Sequence, residues 1–283
     1  MKKNKKRIWL FFLVVIVIGS IWIAWGNTAL ELNEYQINSD KLPASFRGFR
    51  IAQISDLHNA KMGKNNENLL KRLEEAKPDI IVITGDSIDS YHTDVEVSLQ
   101  FMEKAVSIAP CYYVTGNHEA RLSREVYLDF EEKIEGYGIE VLHDEAILLE
   151  RDGEHLAIAG VDDPSFSSKH NGIRYSNMSN YIQELFDEDE GFQILLSHRP
   201  ELFDDYVDAG VELVLSGHAH GGQFRLPFIG GLVAPNQGLF PEYDAGLFSE
   251  EGTNMIVSRG IGNSIFPIRF NNRPEIIVVE LIE

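Results

Sequence analysis

Five short segments of this chain carry side chains that can hold a metal ion or move a proton, and each follows an apolar run. They are Asp56-Leu57-His58, Gly85-Asp86-Ser87-Ile88-Asp89, Gly116-Asn117-His118-Glu119, Ser197-His198-Arg199-Pro200 and Gly217-His218-Ala219-His220. Each motif alone is commonplace, but together they place carboxylates, imidazoles and an amide at five strand ends. The donor set is oxygen and nitrogen without thiolate, which suits Mn²⁺, Fe²⁺/³⁺ or Zn²⁺ and disfavours Cu⁺ or an iron–sulfur cluster. Seven candidate ligands are too many for one four- to six-coordinate ion and enough for two ions sharing a carboxylate. Two such ions roughly 3.5–4 Å apart clamp a phosphoryl group and lower the pKa of a bound water. In an extended segment, residues i and i+2 point the same way, so His218 and His220 are expected to face one cavity.

The elements that must position these residues alternate regularly. Residues 49–55, 80–84 and 111–115 read as strands, and residues 65–77, about 93–107 and 123–135 as the helices that follow them. Thr93 and Glu96 have capping-box spacing ahead of the second helix. Strand and helix alternating at about thirty residues is the signature of parallel βαβ units. The second half is richer in strands, at 141–150, 156–161, 194–197, 213–216, 255–258 and 276–281, with helices at 179–186 and 201–209. Residues 26–48 read as a polar connector holding a short strand at 32–37, and residues 49–283 as one catalytic domain. His92, His143, His155 and His170 lie in polar sequence and read as surface residues.

Composition narrows the classes. The single cysteine, Cys111, excludes an internal disulfide framework and reads as a buried, inert thiol. There are no cysteine pairs of zinc-finger type and no Gly-rich Lys-Ser/Thr phosphate loop. Residues 1–7 carry five positive charges, and residues 8–25 run without a charge, near the length a helix needs to cross a bilayer. Trp9, Trp22 and Trp25 suit the two interfaces. A cleaved signal peptide is the competing reading, but it has a shorter apolar centre and a small-residue cleavage site, which is not evident after Trp25. Basic residues before the span and few after it keep the tail cytoplasmic and the remainder outside. The chain carries a net charge of −19, and −24 without its basic tail. Such a surface repels nucleic-acid backbones, so no nucleic-acid partner is expected.

Taken in order, Asp-x-His, Gly-Asp-x-x-Asp, Gly-Asn-His-Glu, a lone His and Gly-His-x-His resemble the calcineurin-like metallophosphoesterases, from Asp56 to His220. With its apolar N-terminus, the chain is similar to the bacterial membrane-associated branch. The resemblance implies an α/β fold of two facing mixed sheets flanked by helices, a four-layer αββα sandwich, here preceded by one transmembrane helix. It implies that Asp56, His58 and His220 hold one divalent ion and Asn117, His198 and His218 a second, with Asp86 bridging. A hydroxide between the ions would attack phosphorus in line. His118 would contact phosphate and protonate the leaving oxygen, and Asp89 would orient its ring. A carboxylate partner is expected to raise the pKa of that imidazole.

Two departures bear on substrate. Protein phosphatases of the superfamily have Arg after the second Asp of Gly-Asp-x-x-Asp, where this chain has Ser90, so a phosphoprotein substrate is disfavoured. Asn59 follows His58, and no role is assigned to it. The apolar loops Leu226-Pro227-Phe228-Ile229 and Ile265-Phe266-Pro267-Ile268 read first as core-facing strand ends, with an acyl-accepting rim as the alternative. The reading is an anchored, dinuclear-metal phosphoesterase acting on a phosphodiester or pyrophosphate of a small-molecule, lipid-linked or cell-envelope substrate, with no obligate protein partner. A metal-free scaffold of the same fold and a metal-dependent nuclease are the alternatives.

Overall fold

A computed structural model describes residues 2–172, 175, 177–186, 191–263 and 266–283, with side chains described from residue 5 onward. The chain opens with one long helix, α1 (Lys2–Thr28), longer than the apolar run because its helical hydrogen bonding continues through Gly26. The strand β1 (Glu31–Asn38) follows at once, then β2 (Arg50–Ile54), α2 (Glu67–Glu75), β3 (Ile80–Thr84), α3 (Val95–Ala105), β4 (Cys111–Val114), α4 (Arg124–Gly136) and β5 (Ile139–Val141). The expected strand over 141–150 is two strands, because after β5 the chain crosses to a second sheet as β6 (Glu145–Arg151). There follow β7 (Glu154–Gly160), α5 (Pro164–Phe166), α6 (Met178–Gln183), β8 (Gln193–Leu196), α7 (Phe203–Ala209) and β9 (Leu213–Ser216). Two small hairpins, β10–β11 (Arg225–Leu226, Gly230–Gly231) and β12–β13 (Val233–Ala234, Gly238–Leu239), precede β14 (Gly246–Glu250), β15 (Thr253–Val257) and β16 (Glu275–Ile282).

The strands form two six-stranded mixed sheets, ordered β1-β16-β2-β3-β4-β5 and β14-β15-β9-β8-β7-β6. In the first, β2, β3, β4 and β5 are parallel and β16 is antiparallel to β2. In the second, β7, β8, β9 and β15 are parallel, with β6 and β14 antiparallel at the edges. Alternation along each strand sets the layers. Ile80 and Val82 of β3 face the core between the sheets, where they meet Ile194, Leu196, Leu213 and Leu215. Ile81 and Ile83 face α2, α3 and α4. On the second sheet Leu195 and Val214 face α6 and α7. Three apolar layers therefore lie between helices, sheet, sheet and helices. Continuous apolar strands such as Ile80–Ile83 are what a parallel sheet buried on both faces needs.

The short strand read at 32–37 forms as β1, whose eight residues pair in parallel with β16, so the first sheet takes in residues before 49. One expectation is corrected. The Thr93–Glu96 capping box does not form. The helix starts at Val95 with Asp94 in the cap position, and Thr93 Oγ1 instead donates to the Ser90 carbonyl.

Candidate metal centre

All five segments leave the C-terminal ends of parallel strands β2, β3, β4, β8 and β9, the edge at which an open α/β sheet presents its site. The side chains converge by left-handed backbone turns, not by extended geometry. Asp56, His58, Asp86, His218 and His220 have φ values between 44° and 65°. Non-glycine residues there cost roughly 1–3 kcal/mol each and persist only where the surroundings over-determine them. His218 and His220 do line one cavity, as expected, but the extended geometry expected of them is corrected: each sits in its own turn, and the two rings enter different clusters.

One cluster is Asp56, His58 and His220, and another is Asp86, His198 and His218. Asp86 joins them, with its Oδ2 3.5 Å from His58 Nε2 and 3.3 Å from His198 Nε2. His220 Nε2 lies 3.4 Å from Asp56 Oδ1, and His218 Nδ1 lies 3.2 Å from His198 Nε2. The His198 ring is set by the Thr84 carbonyl 2.8 Å from its Nδ1, which leaves Nε2 facing the cluster. Asn117 is buried beside them.

The donors fit divalent ions. Both ring nitrogens of His58, His220 Nδ1 and Asn117 Oδ1 are buried without a hydrogen-bond partner among the described residues, an expensive state unless another group engages them. Glycines make room for the cluster: a Cβ on Gly217 would strike Ser55 Oγ and the Asp56 carboxylate, and one on Gly116 would strike Asp86.

The charges are mutually tuned. Burial alone would raise Asp56 and Asp86, but His220 and His58 hold the first, and His198 and His58 the second, below the usual carboxylate range. Burial would lower His198, but Asp86 raises it to about 10. His218 and His220 are driven down by burial, His220 to about 3, so both present neutral rings.

His118 lines the same cavity. Its Nδ1 accepts from Ser90 N at 3.0 Å, so the ring proton sits on Nε2, and Asp89 Oδ1 is 3.4 Å from Nδ1. The backbone and hydroxyl of Ser90 therefore approach the ring more closely than the Asp89 carboxylate does. Its pKa is lowered to about 4, not raised, because burial outweighs Asp86 and Asp89.

Several site residues were given no role from the sequence. Glu119 accepts from the backbone N–H groups of Asp86 and Gly116, both at 2.9 Å, and of Ile88 at 3.2 Å, which pins two of the metal-bearing turns together. The Arg199 guanidinium is bound through two nitrogens to Asp163 and lies 3.1 Å from His218 Nε2. A cavity of about 360 Å³ opens on the cluster, and Arg121, Lys169 and Arg199 line it with Asn117, His118 and Asp86. Three cations over a buried acidic cluster suit an anionic substrate. Their signal was present in sequence, since Arg199 follows His198 and Arg121 follows His118 by three, but only the fold brings Lys169 beside them. Asn59 spans two backbone groups, donating to the His92 carbonyl and accepting from Asp89 N. Of the histidines read as surface residues, His143 is half-buried between Asp162 and Glu131, and His170 stacks on Phe166 at 4.6 Å.

The calcineurin-like phosphoesterase family model matches residues 49–222, which hold every segment described above. The chain belongs to this family. An uncharacterized metallophosphoesterase, YkuE, of Bacillus subtilis is 32% identical over 260 residues, 89% of this chain and 85% of its own. Phosphodiesterase YaeI of Escherichia coli is 26% identical, covering 83% of this chain and 82% of that protein. A transmembrane protein with metallophosphoesterase domain of Danio rerio is 28% identical over 95% of this chain and 62% of its own length. As a calcineurin-like phosphoesterase the chain is a metal-dependent hydrolase with His/Asp groups able to bind ions.

Proposed function

We propose that the chain hydrolyses a phosphodiester or pyrophosphate with two divalent ions, from a catalytic domain tethered outside the cytoplasm by α1. The observation that carries the dinuclear reading is Asp86 Oδ2, which lies between His58 of one cluster and His198 of the other. Asp56, His58 and His220 would hold one ion, Asn117, His198 and His218 the second, and Asp86 both. Bound ions would polarise the phosphoryl oxygens and supply a nucleophilic water at neutral pH. The remaining work falls to the chain's own residues. Arg121, Lys169 and Arg199 orient the phosphoryl group and neutralise it, a grip placed differently from the missing arginine after Asp89. Without substrate, burial keeps the His118 ring neutral and Ser90 N donates to Nδ1, which leaves the one ring proton on Nε2. An anionic phosphoryl oxygen at Nε2 favours uptake of a second proton at Nδ1, where the Asp89 carboxylate 3.4 Å away takes the place of Ser90 N as partner. The imidazolium gives its Nε2 proton to the leaving oxygen and returns to the neutral ring.

A diester or pyrophosphate is preferred because Ser90 replaces the phosphatase arginine and because the similar YaeI is named a phosphodiesterase. The tether is supported by α1, which is long and apolar enough to span a membrane from Lys5 to Thr28, and by the transmembrane relative. The test is metal content and turnover of the full chain in detergent. Two divalent ions per chain and faster hydrolysis of bis(p-nitrophenyl) phosphate than of p-nitrophenyl phosphate are expected. One ion per chain, or a strong preference for the monoester, defeats the reading.

A further inference from the structure

Among the described residues outside α1, most of the large exposed apolar side chains lie within residues 226–240 and 266–270. Phe228 is fully exposed at the tip of the β10–β11 hairpin, with Ile229 beside it, and Leu239 at the end of β13 and Phe240 just after it stand out. Phe266 and Ile268 are exposed on the segment leading to β16, while Ile265 of that loop lies outside the described residues. The expectation that these loops face the core is thereby corrected. Exposed apolar side chains this concentrated mark an interaction surface.

Hydrogen bonds make these loops one surface and join it to the foot of α1. Asn27, in the last turn of α1, accepts from Arg269 N at 2.8 Å and donates to the Arg269 carbonyl at 3.0 Å. Gln223 Nε2 donates to the carbonyls of Phe266 and Ile268, and Arg225 N donates to that of Phe270, which ties the segment to the β10–β11 hairpin. Leu232 N donates to Phe224 O and Phe240 N to Leu232 O, which carries the connection into the β12–β13 hairpin. In that second hairpin Pro235 and Asn236 line the metal cavity. The apolar surface thus runs from the end of α1 to the mouth of the site.

Its occupant is indicated by what stands at the foot of the helix. A cavity of about 270 Å³ there is lined by Trp22, Trp25, Arg259, Arg269 and Arg273, with the Arg273 guanidinium 4.7 Å from the Trp25 ring centroid. Tryptophan and arginine together are the composition of a bilayer's interfacial level. Arg269 is buried, and Arg259 pairs with Glu31 and Glu275, so the cation this foot presents outward is the part-exposed Arg273, itself 3.3 Å from Glu31.

We propose that the face formed by residues 223–240 and 266–270 lies in the headgroup layer of the membrane that α1 spans, so that the metal cavity opens along the bilayer surface. The inference rests on the reading of α1 as a membrane span. With α1 fixing one edge of this face, Phe228 at the tip of β10–β11 and Phe240 just after β13 enter the lipid at little further orientational cost. A substrate with its phosphoester at headgroup depth then reaches Arg121 and Lys169 without leaving the membrane.

The test uses the full chain with Cys111→Ala, reconstituted in phosphatidylcholine–phosphatidylglycerol vesicles. Single cysteines at Phe228, Phe240, Leu128 and Ile16 carry an environment-sensitive fluorophore, read by lipid-borne nitroxide and by aqueous iodide. Leu128 lies exposed on α4, on the opposite side of the first sheet from the second. At Phe228 and Phe240, nitroxide quenching and a loss of iodide quenching of about threefold against Leu128 are expected, as for side chains roughly 5–10 Å into the headgroup boundary. Phe228 and Phe240 probes as iodide-accessible as Leu128, with Ile16 embedded, overturn the inference and leave the anchor intact. Protection from both quenchers means that protein, such as a second copy of the chain, covers the face, and this also overturns it. An iodide-accessible Ile16 probe defeats the anchor reading, and the inference falls with it.

Discussion

The metal centre and the surroundings of His143 both bring histidine and carboxylate together, and they are built on opposite principles. At the strand ends, His58 and His220 hold ring nitrogens that no described residue satisfies, and both take left-handed backbone conformations, as do Asp56, Asp86 and His218. Beside α4, His143 has Nε2 at 2.5 Å from Glu131 and Nδ1 at 2.9 Å from Asp162, and Asp162 also accepts from Thr115. The second cluster satisfies itself within the protein. The first is left with lone pairs directed at a common volume, which makes it a place for ions. A count of histidines and acids does not separate the two cases; unspent donor capacity does.

The comparison breaks most sharply at Asp86. Asp86→Asn weakens charge neutralisation in both halves of the centre, so turnover should be abolished and both ions lost. Two retained ions with near-normal turnover would sink the shared-carboxylate assignment. His118→Asn comes next. It should keep its metal, because His118 is read as an acid and not a ligand, and lose about 10²–10⁴-fold on alkyl diesters. On p-nitrophenyl diesters, whose leaving group needs little protonation, the loss should be far smaller. Equal losses on both, measured by kcat/KM, would reduce His118 to phosphate binding.

Smaller effects sharpen the contrast. Glu119→Gln presents an amide to three backbone N–H groups that a carboxylate accepted, loosening the turns that carry Asp86 and Asn117. Metal affinity should fall about 10–100-fold, read by competition with a chelator. Arg121→Ala should cost roughly tenfold in kcat/KM through the loss of one charge-assisted contact, with metal content unchanged. An Arg121→Ala enzyme at full efficiency would remove that residue from the phosphate grip.

His143→Gln should leave turnover per folded molecule intact and cost about 1–3 kcal/mol of stability. The dependence on pH has a definite sign. Burial would lower this group, but Asp162 and Glu131 raise it to about 10 in the folded chain. A raised folded-state value means its stabilisation is complete below the unfolded pKa, near 6.5, and is lost as pH climbs through about 10. The stability gap between the parent and His143→Gln should therefore narrow from pH 7 to pH 10 in denaturant titrations. A gap that widens over that range would exclude the ion-paired account.

The chemistry of the site was legible because residue type is itself the signal: only certain side chains bind hard divalent ions, and five such segments each followed an apolar run. The strands were legible for a similar reason. Ile80-Ile81-Val82-Ile83 is apolar on both faces, and only a sheet covered twice can hide it. What sequence could not decide was contact between residues far apart in the chain. Strand β1 was legible as a short strand, but not its partner: β16, over two hundred residues later, pairs with all of it. Lys169 reaches the cavity by the path of one irregular turn, and the exposed loops at Phe228 and Phe266 had the composition of core. Ser90, read as the loss of an arginine, became the group that sets the tautomer of His118. Composition and spacing determine which chemistry is available, since they fix donor type and period. Backbone direction at the strand ends decides which side chains meet, because left-handed turns at Asp56, Asp86 and His218 redirect them in ways no local pattern encodes.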